Sequence, residues 1–147
     1  MRFLKKSGSL RSGSVSEAPR GRGALLHGEL TERVLGAAFE VHTQLGPGLL
    51  ESVYEACLCI ELDQMGIAHQ RQSEIPIFYK DARLDHVFVA DVIVEDKVLL
   101  ELKAVAELHP IHHAQLLTHL RLTGLRVGLL MNFNVVSMRD GIVRRVL

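Results

Sequence analysis

The chain has 147 residues, enough for one domain with a real core. Its 48% hydrophobic content argues for a globular body, and no apolar run approaches the ~18 residues that a membrane span needs. Net charge is zero but unevenly spread: residues 1–23 carry +5 and the rest −5, so the body is not a general polyanion binder. Aromatic residues are 5% and Trp is absent, which leaves no evident base-stacking platform.

Residues 1–27 read as a flexible basic tail, rich in Ser, Gly and Arg, ahead of a single domain over 28–147. An organelle transit peptide shares this composition. The apolar positions Phe3, Leu4, Leu10 and Val15 are too sparse for a convincing amphipathic helix, so a plain tail on a cytoplasmic protein is favoured. No apolar segment of a secretory signal follows Lys5 and Lys6.

From Leu30, the residues Leu30, Val34, Ala38, Val41 and Leu45 mark one helix face, with Thr31 as its expected N-cap. Gly46-Pro47-Gly48 stops that helix. A second runs from about Leu49 to Met65, with Leu50, Val53, Cys57, Ile60 and Met65 as its apolar side and Gly66 just past its end. Cys57 and Cys59 diverge by about 200° on such a helix, so neither a disulfide nor a four-ligand zinc site follows. Ile75, Ile77 and Tyr79 alternate as a strand before a Lys80-Asp81 turn. His86–Val94 and Val98–Val105 are two further strands around Glu95-Asp96-Lys97. A helix starts near Pro110, carries Leu116, Leu117 and Leu120, and ends at Gly124. Arg126–Phe133 is a buried strand and Gly141–Leu147 an edge strand. The order is ααβββαββ, without an internal repeat.

The chemistry concentrates in "VADVIVEDKVLLELKAV", residues 89–105. A three-residue loop pairs Val94 with Val98 and therefore sets Asp91 opposite Glu101, with Cβ atoms about 4.5–5.5 Å apart. Lys103 shares the face of Glu101. A loop one residue different would pair Asp91 with Leu102 instead. Two carboxylates that close repel unless one takes a proton or a cation joins them. Their hard oxygens suit Mg²⁺ or Mn²⁺. Such a metal activates water and neutralises a phosphate, while Lys103 orients the nucleophile or stabilises developing charge. The plain alternative is an ion pair on a solvated strand face. The apolar residues flanking these charges on both faces argue against it, because buried charges need a partner.

"GPGLLESVYEA", residues 46–56, is the second cluster. Glu51, Tyr54 and Glu55 share a helix face, though a glutamate at a helix start is favoured by the macrodipole alone. Gly48, Glu51 and Tyr54 spell G-x-x-E-x-x-Y. With the Asp91…Glu101-x-Lys103 hairpin and "AQLLTHLRLTGLRVGLLMNF", the chain resembles the GxxExxY protein family of the PD-(D/E)XK nuclease superfamily over about residues 30–147. Each motif alone is weak; their joint occurrence in order is specific.

The resemblance implies an α/β fold with a restriction-endonuclease-like αβββαβ core, a mixed central sheet flanked by helices. It implies Asp91 and Glu101 as metal ligands, Lys103 as the catalytic lysine, and Glu51 as an extra acidic position holding metal through water. Gln115 matches the glutamine of a Q-x-x-x-Y pattern, whose tyrosine is His119 here. His42, Gly48 and Tyr54 match motif positions without an assigned role. Ala90 and Val89 stand where the pattern has proline and arginine.

"HPIHHAQLLTH" holds His109, His112, His113 and His119. His109 and His113 have a zinc-compatible spacing, but Pro110 puts His109 before the helix, and structural or solvated histidines are the favoured reading. The expected function is a Mg²⁺- or Mn²⁺-dependent nuclease that hydrolyses DNA with a metal-activated water, a homodimer being the expected way to grip a duplex. The alternative is a catalytically silent nucleic-acid- or protein-binding module on the same fold. A histidine-based zinc protein is a weaker third reading.

Overall fold

The computed structural model describes residues 25–147. The expected tail lies outside them except for its last three residues.

The described chain runs α1 (Gly28–Leu45), α2 (Glu51–Gln64), β1 (His69–Tyr79), β2 (Ala82–Val94), β3 (Val98–Lys103), α3 (Pro110–Thr123), β4 (Val127–Asn132), a 3₁₀ turn (Met138–Gly141) and β5 (Ile142–Val146). The strands form one mixed sheet in the order β1-β2-β3-β4-β5. Only β3 and β4 are parallel; the other neighbours are antiparallel. The α3 crossover supplies the long connection that a parallel pair needs. This is the α/β architecture expected from the sequence.

Both faces of the sheet are covered. Val92, Val94, Val98, Leu100 and Leu102 pack with Val34, Ala38, Tyr54, Leu58 and Leu62 of α1 and α2. Ala90, Ile93, Leu99 and Leu130 pack with Leu116 and Leu120 of α3. Every residue of β4 is buried, as befits a strand covered on both sides.

Two details depart from expectation. Helix α1 starts three residues before Thr31, at Gly28, with His27 preceding it. Thr31 Oγ1 donates to the Gly28 carbonyl at 3.0 Å and accepts from Arg144 Nη1 at 3.2 Å, so it links β5 to α1 and is no N-cap. Helix α2 buries Tyr54, Glu55, Leu58, Cys59 and Leu62, whereas Leu50 and Ile60 of the expected face are 73% and 54% exposed. Apolar residues nearly encircle this helix, so spacing admitted more than one stripe. The stripe containing Glu55 is inside because its charge finds partners there.

Candidate functional site

The β2–β3 turn fixes the register of the site. Glu95 and Asp96 both have positive φ (50° and 55°), and the Lys97 N–H donates to Val94 O at 2.9 Å. Val94 then pairs with Val98, Ile93 with Leu99 and Val92 with Leu100, the register expected from a three-residue loop. The ladder ends there. Strand β2 continues with β1 as a two-stranded arm, while β3 continues beside β4 to Lys103.

Asp91 stands at this fork. Where the backbone partner is gone, its Oδ2 accepts the Leu102 N–H at 3.0 Å. The side chain thus answers a donor that the departing strand would otherwise leave unpaired. The fork opens a cavity of about 140 Å³ lined by Phe88, Val89, Asp91, Glu101, Lys103 and His119. Asp91, Glu101 and Lys103 all line it, but the expected Asp91–Glu101 rung does not form: the β2–β3 ladder stops at Val92–Leu100, and the Asp91 side chain turns to the Leu102 N–H.

The cavity is a poor place for negative charge. Burial lifts the Asp91 carboxyl above the usual carboxylate range; the Leu102 N–H opposes this, Glu55 adds to it, and Lys103 and His119 oppose it. Glu101, 5% exposed, is also raised by burial, against a hydrogen bond from His119, and Asp91 pushes it further up. Glu51 is raised by burial and then by the Asp91 charge, with Lys103 opposing. The charges of Glu51, Asp91, Glu101 and Lys103 therefore act on one another across the fork.

Glu51 is exposed and is not among the residues lining the cavity; the loop before it sets its place at the start of α2, where it feels the charges of Asp91 and Lys103. Gly46 and Gly48 have φ of 70° and 102°, which side chains with a Cβ rarely adopt. Tyr54, fully buried, donates its hydroxyl to Gly46 O at 2.6 Å and accepts the Leu49 N–H at 3.1 Å. Its ring stacks on Phe133 at 4.7 Å. The glycine makes the turn, the tyrosine clamps it, and Glu51 becomes the first residue of α2. His42 acts from a distance: its Nε2 meets Val135 O at 2.7 Å and ties α1 to the loop after β4.

The structure brings in His119, which the sequence marked as a departure from a tyrosine and as one of four clustered histidines. Its Nδ1 meets Glu101 Oε2 in a close contact, and its ring stacks on Phe88 at 3.9 Å. Gln115, one turn earlier on α3, is exposed and is not among the residues lining the cavity. Glu55 is the other addition: it is 5% exposed and bonded by Arg71 and Gln72 of β1. The shared face of Glu51 and Glu55 was the only signal for it.

The remaining candidates have ordinary partners. The His109 N–H donates to His112 Nδ1 and the His112 N–H to His109 O, closing the start of α3. Arg145 donates to His113 Nδ1, Arg144 to Leu26 O and Arg126 to Leu147 O, so these three arginines serve the fold. Burial pushes the Cys59 thiol up to about 11, which keeps it protonated and unreactive.

Among the described residues, no three His, Cys, Asp or Glu side chains gather closely enough to form a complete metal cluster. No described helix is long and apolar enough to cross a membrane.

The family model of the PD-(D/E)XK nuclease superfamily matches residues 28–146. No curated protein and no solved structure matches the chain.

Proposed function

The chain belongs to the PD-(D/E)XK nuclease superfamily, and on that premise we propose that it hydrolyses phosphodiester bonds of nucleic acid, DNA foremost, with Mg²⁺ or Mn²⁺ held by Asp91 and Glu101. One observation carries this reading. Asp91, Glu101 and Lys103 line a single cavity where burial raises both carboxylates.

The donor chemistry fits a hard divalent cation. Asp91 uses Oδ2 for the Leu102 N–H and Glu101 uses Oε2 for His119, so each carboxylate retains its other oxygen. Magnesium is commonly held by one or two carboxylates, with water and substrate phosphate completing its shell. A pair of carboxylates without a third protein donor suits that habit. When bound, such a cation lowers the pKa of water and neutralises phosphate charge.

The chain's own residues divide the remaining work. Lys103 donates to a phosphate oxygen as negative charge develops on it. Glu51, the exposed first residue of α2, would accept hydrogen bonds from water of the cation's shell. His119 holds the Glu101 carboxylate while Phe88 fixes the imidazole plane. Gln115, on the exposed side of α3, meets the substrate backbone. Two copies of the chain would present one site to each strand of a duplex.

The test is cleavage of single- and double-stranded DNA and RNA with Mn²⁺ or with EDTA, comparing wild type, Asp91→Ala and Lys103→Ala. Metal-dependent cleavage lost in both variants supports the proposal. No cleavage of any substrate, together with no divalent-metal binding by calorimetry, overturns it. The second reading is a silent nucleic-acid- or protein-binding module on the same fold, favoured by the net charge of −5 over residues 24–147, which works against a firm grip on a substrate backbone. DNA binding that survives Asp91→Ala without turnover would establish it.

A further inference from the structure

Alternate residues of a regular strand share a face, and consecutive residues do not. The β1–β2 ladder breaks this rule twice at one level. In β2, Ala90 packs under α3 with Leu116 and Leu120, but Val92, two residues later, packs with α1 and α2. In β1, Arg71 and Gln72 are consecutive, yet both reach Glu55. Arg71 Nε donates to Oε2 at 3.0 Å, and Gln72 Nε2 donates to Oε1 at 3.0 Å and to Oε2 at 3.1 Å.

The two breaks face each other. Arg71 pairs with Val92 and Ser73 with Ala90, which leaves Gln72 and Asp91 on the rung between. Gln72 has φ 50°, inside a strand of eleven residues. A left-handed non-glycine residue costs about 1–3 kcal/mol and persists only where its surroundings hold it. Here the holder is visible: both amide bonds run to Glu55, a carboxylate anchored on α2 and nearly sealed from solvent. If Gln72 relaxed to an extended conformation, Arg71 and Gln72 would again point to opposite faces. The facing strand would lose its reason to switch at residue 91.

We propose that Gln72 is a positioning residue for Asp91. Its side chain, bonded to Glu55, locks the left-handed backbone that turns β2 at residue 91 and aims the Asp91 carboxylate at the Leu102 N–H and the cavity. The consequence for metal binding rests on the nuclease reading above; the placement of Asp91 does not. Glu55 contributes through its bonds, because its charge by itself works against an ionised Asp91.

The test uses the full chain and Gln72→Ala, which removes the side-chain amide and leaves the left-handed conformation as costly as before. Amide hydrogen exchange read by NMR reports the Asp91–Leu102 bond directly. The expected result is exchange at Leu102 about tenfold faster, with Leu129 and Leu130 unchanged. Calorimetry with Mn²⁺ is expected to show about tenfold weaker binding, as for other residues that orient a ligand. A second variant, Glu55→Gln combined with Gln72→Glu, rebuilds the amide–carboxylate link in reverse and is expected to restore Leu102 protection.

Unchanged exchange at Leu102 in Gln72→Ala overturns the proposal. So does a reversed pair that exchanges as fast as the alanine variant. Absence of Mn²⁺ binding by the wild-type chain overturns the nuclease reading instead, and Leu102 exchange still decides the role of Gln72.

Discussion

Strand β2 lives in two environments. Its last three residues pair with β3, pack on both faces and are buried. Its first six, Ala82–Val87, pair only with β1 and are exposed. The candidate site lies between the two halves, where β3 stays with the core and β2 leaves with the arm. A sheet that splits exposes backbone donors and opens a gap between strands. Asp91 answers the donor through Leu102, and the gap becomes the cavity. Polar chemistry collects at the fork because that is where the ladder stops satisfying the backbone.

The largest expected effect falls on the fork itself. Asp91→Ala or Glu101→Ala should lower Mn²⁺-dependent cleavage on the order of 10³-fold, the equivalent of several kcal/mol of lost charge stabilisation. Steady-state cleavage of a labelled oligonucleotide reads it. Lys103→Met, which keeps the length and removes the charge, should cost about 10²–10³-fold.

Stability separates the two halves of the sheet next. Leu100→Ala empties part of the closed half and should cost about 2–5 kcal/mol in urea unfolding. Val87→Ala, at a residue of the arm that is 40% exposed, should stay within about 0.5 kcal/mol. Comparable losses at both positions would mean that the arm is covered in solution. Tyr54→Phe leaves Gly46 O and the Leu49 N–H without their partner, and should cost about 1–2 kcal/mol by the same measurement.

The smallest effect has an informative sign. Burial raises Asp91, so the folded state holds its proton to higher pH than the unfolded chain. Metal-free stability therefore falls as pH rises from the ordinary carboxylate range through the raised value. Asp91→Asn removes that penalty and can still accept the Leu102 N–H. In EDTA it should melt a few degrees above wild type at neutral pH, with the gap closing in acid below the ordinary carboxylate range. A lower melting temperature at neutral pH would show that the Asp91 charge stabilises the fold without metal.

Much of this was legible in the sequence because it depends on local rules. The order of elements, the stops at Gly46, Gly66 and Gly124, and the buried character of β4 follow from periodicity and turn residues. The three-residue loop alone put Asp91, Glu101 and Lys103 within reach of one another, and the cavity contains all three. Burial of the α2 face could not be read the same way. Nothing in "ESVYEACLCIELDQ" reveals that Arg71 and Gln72 wait for Glu55 on a strand sixteen and seventeen residues away.

What the sequence determined by itself is therefore the list of elements and the meeting of the site's charges, since both are set by spacing along adjacent stretches of chain. Only the tertiary structure decided that β2 forks from β3 at Asp91, that His119 from α3 holds Glu101, and that Gln72 sits in a left-handed conformation opposite the fork. Each of those depends on which distant element supplies the missing partner. A buried donor, a buried carboxylate or a strained backbone persists only when another part of the fold satisfies it.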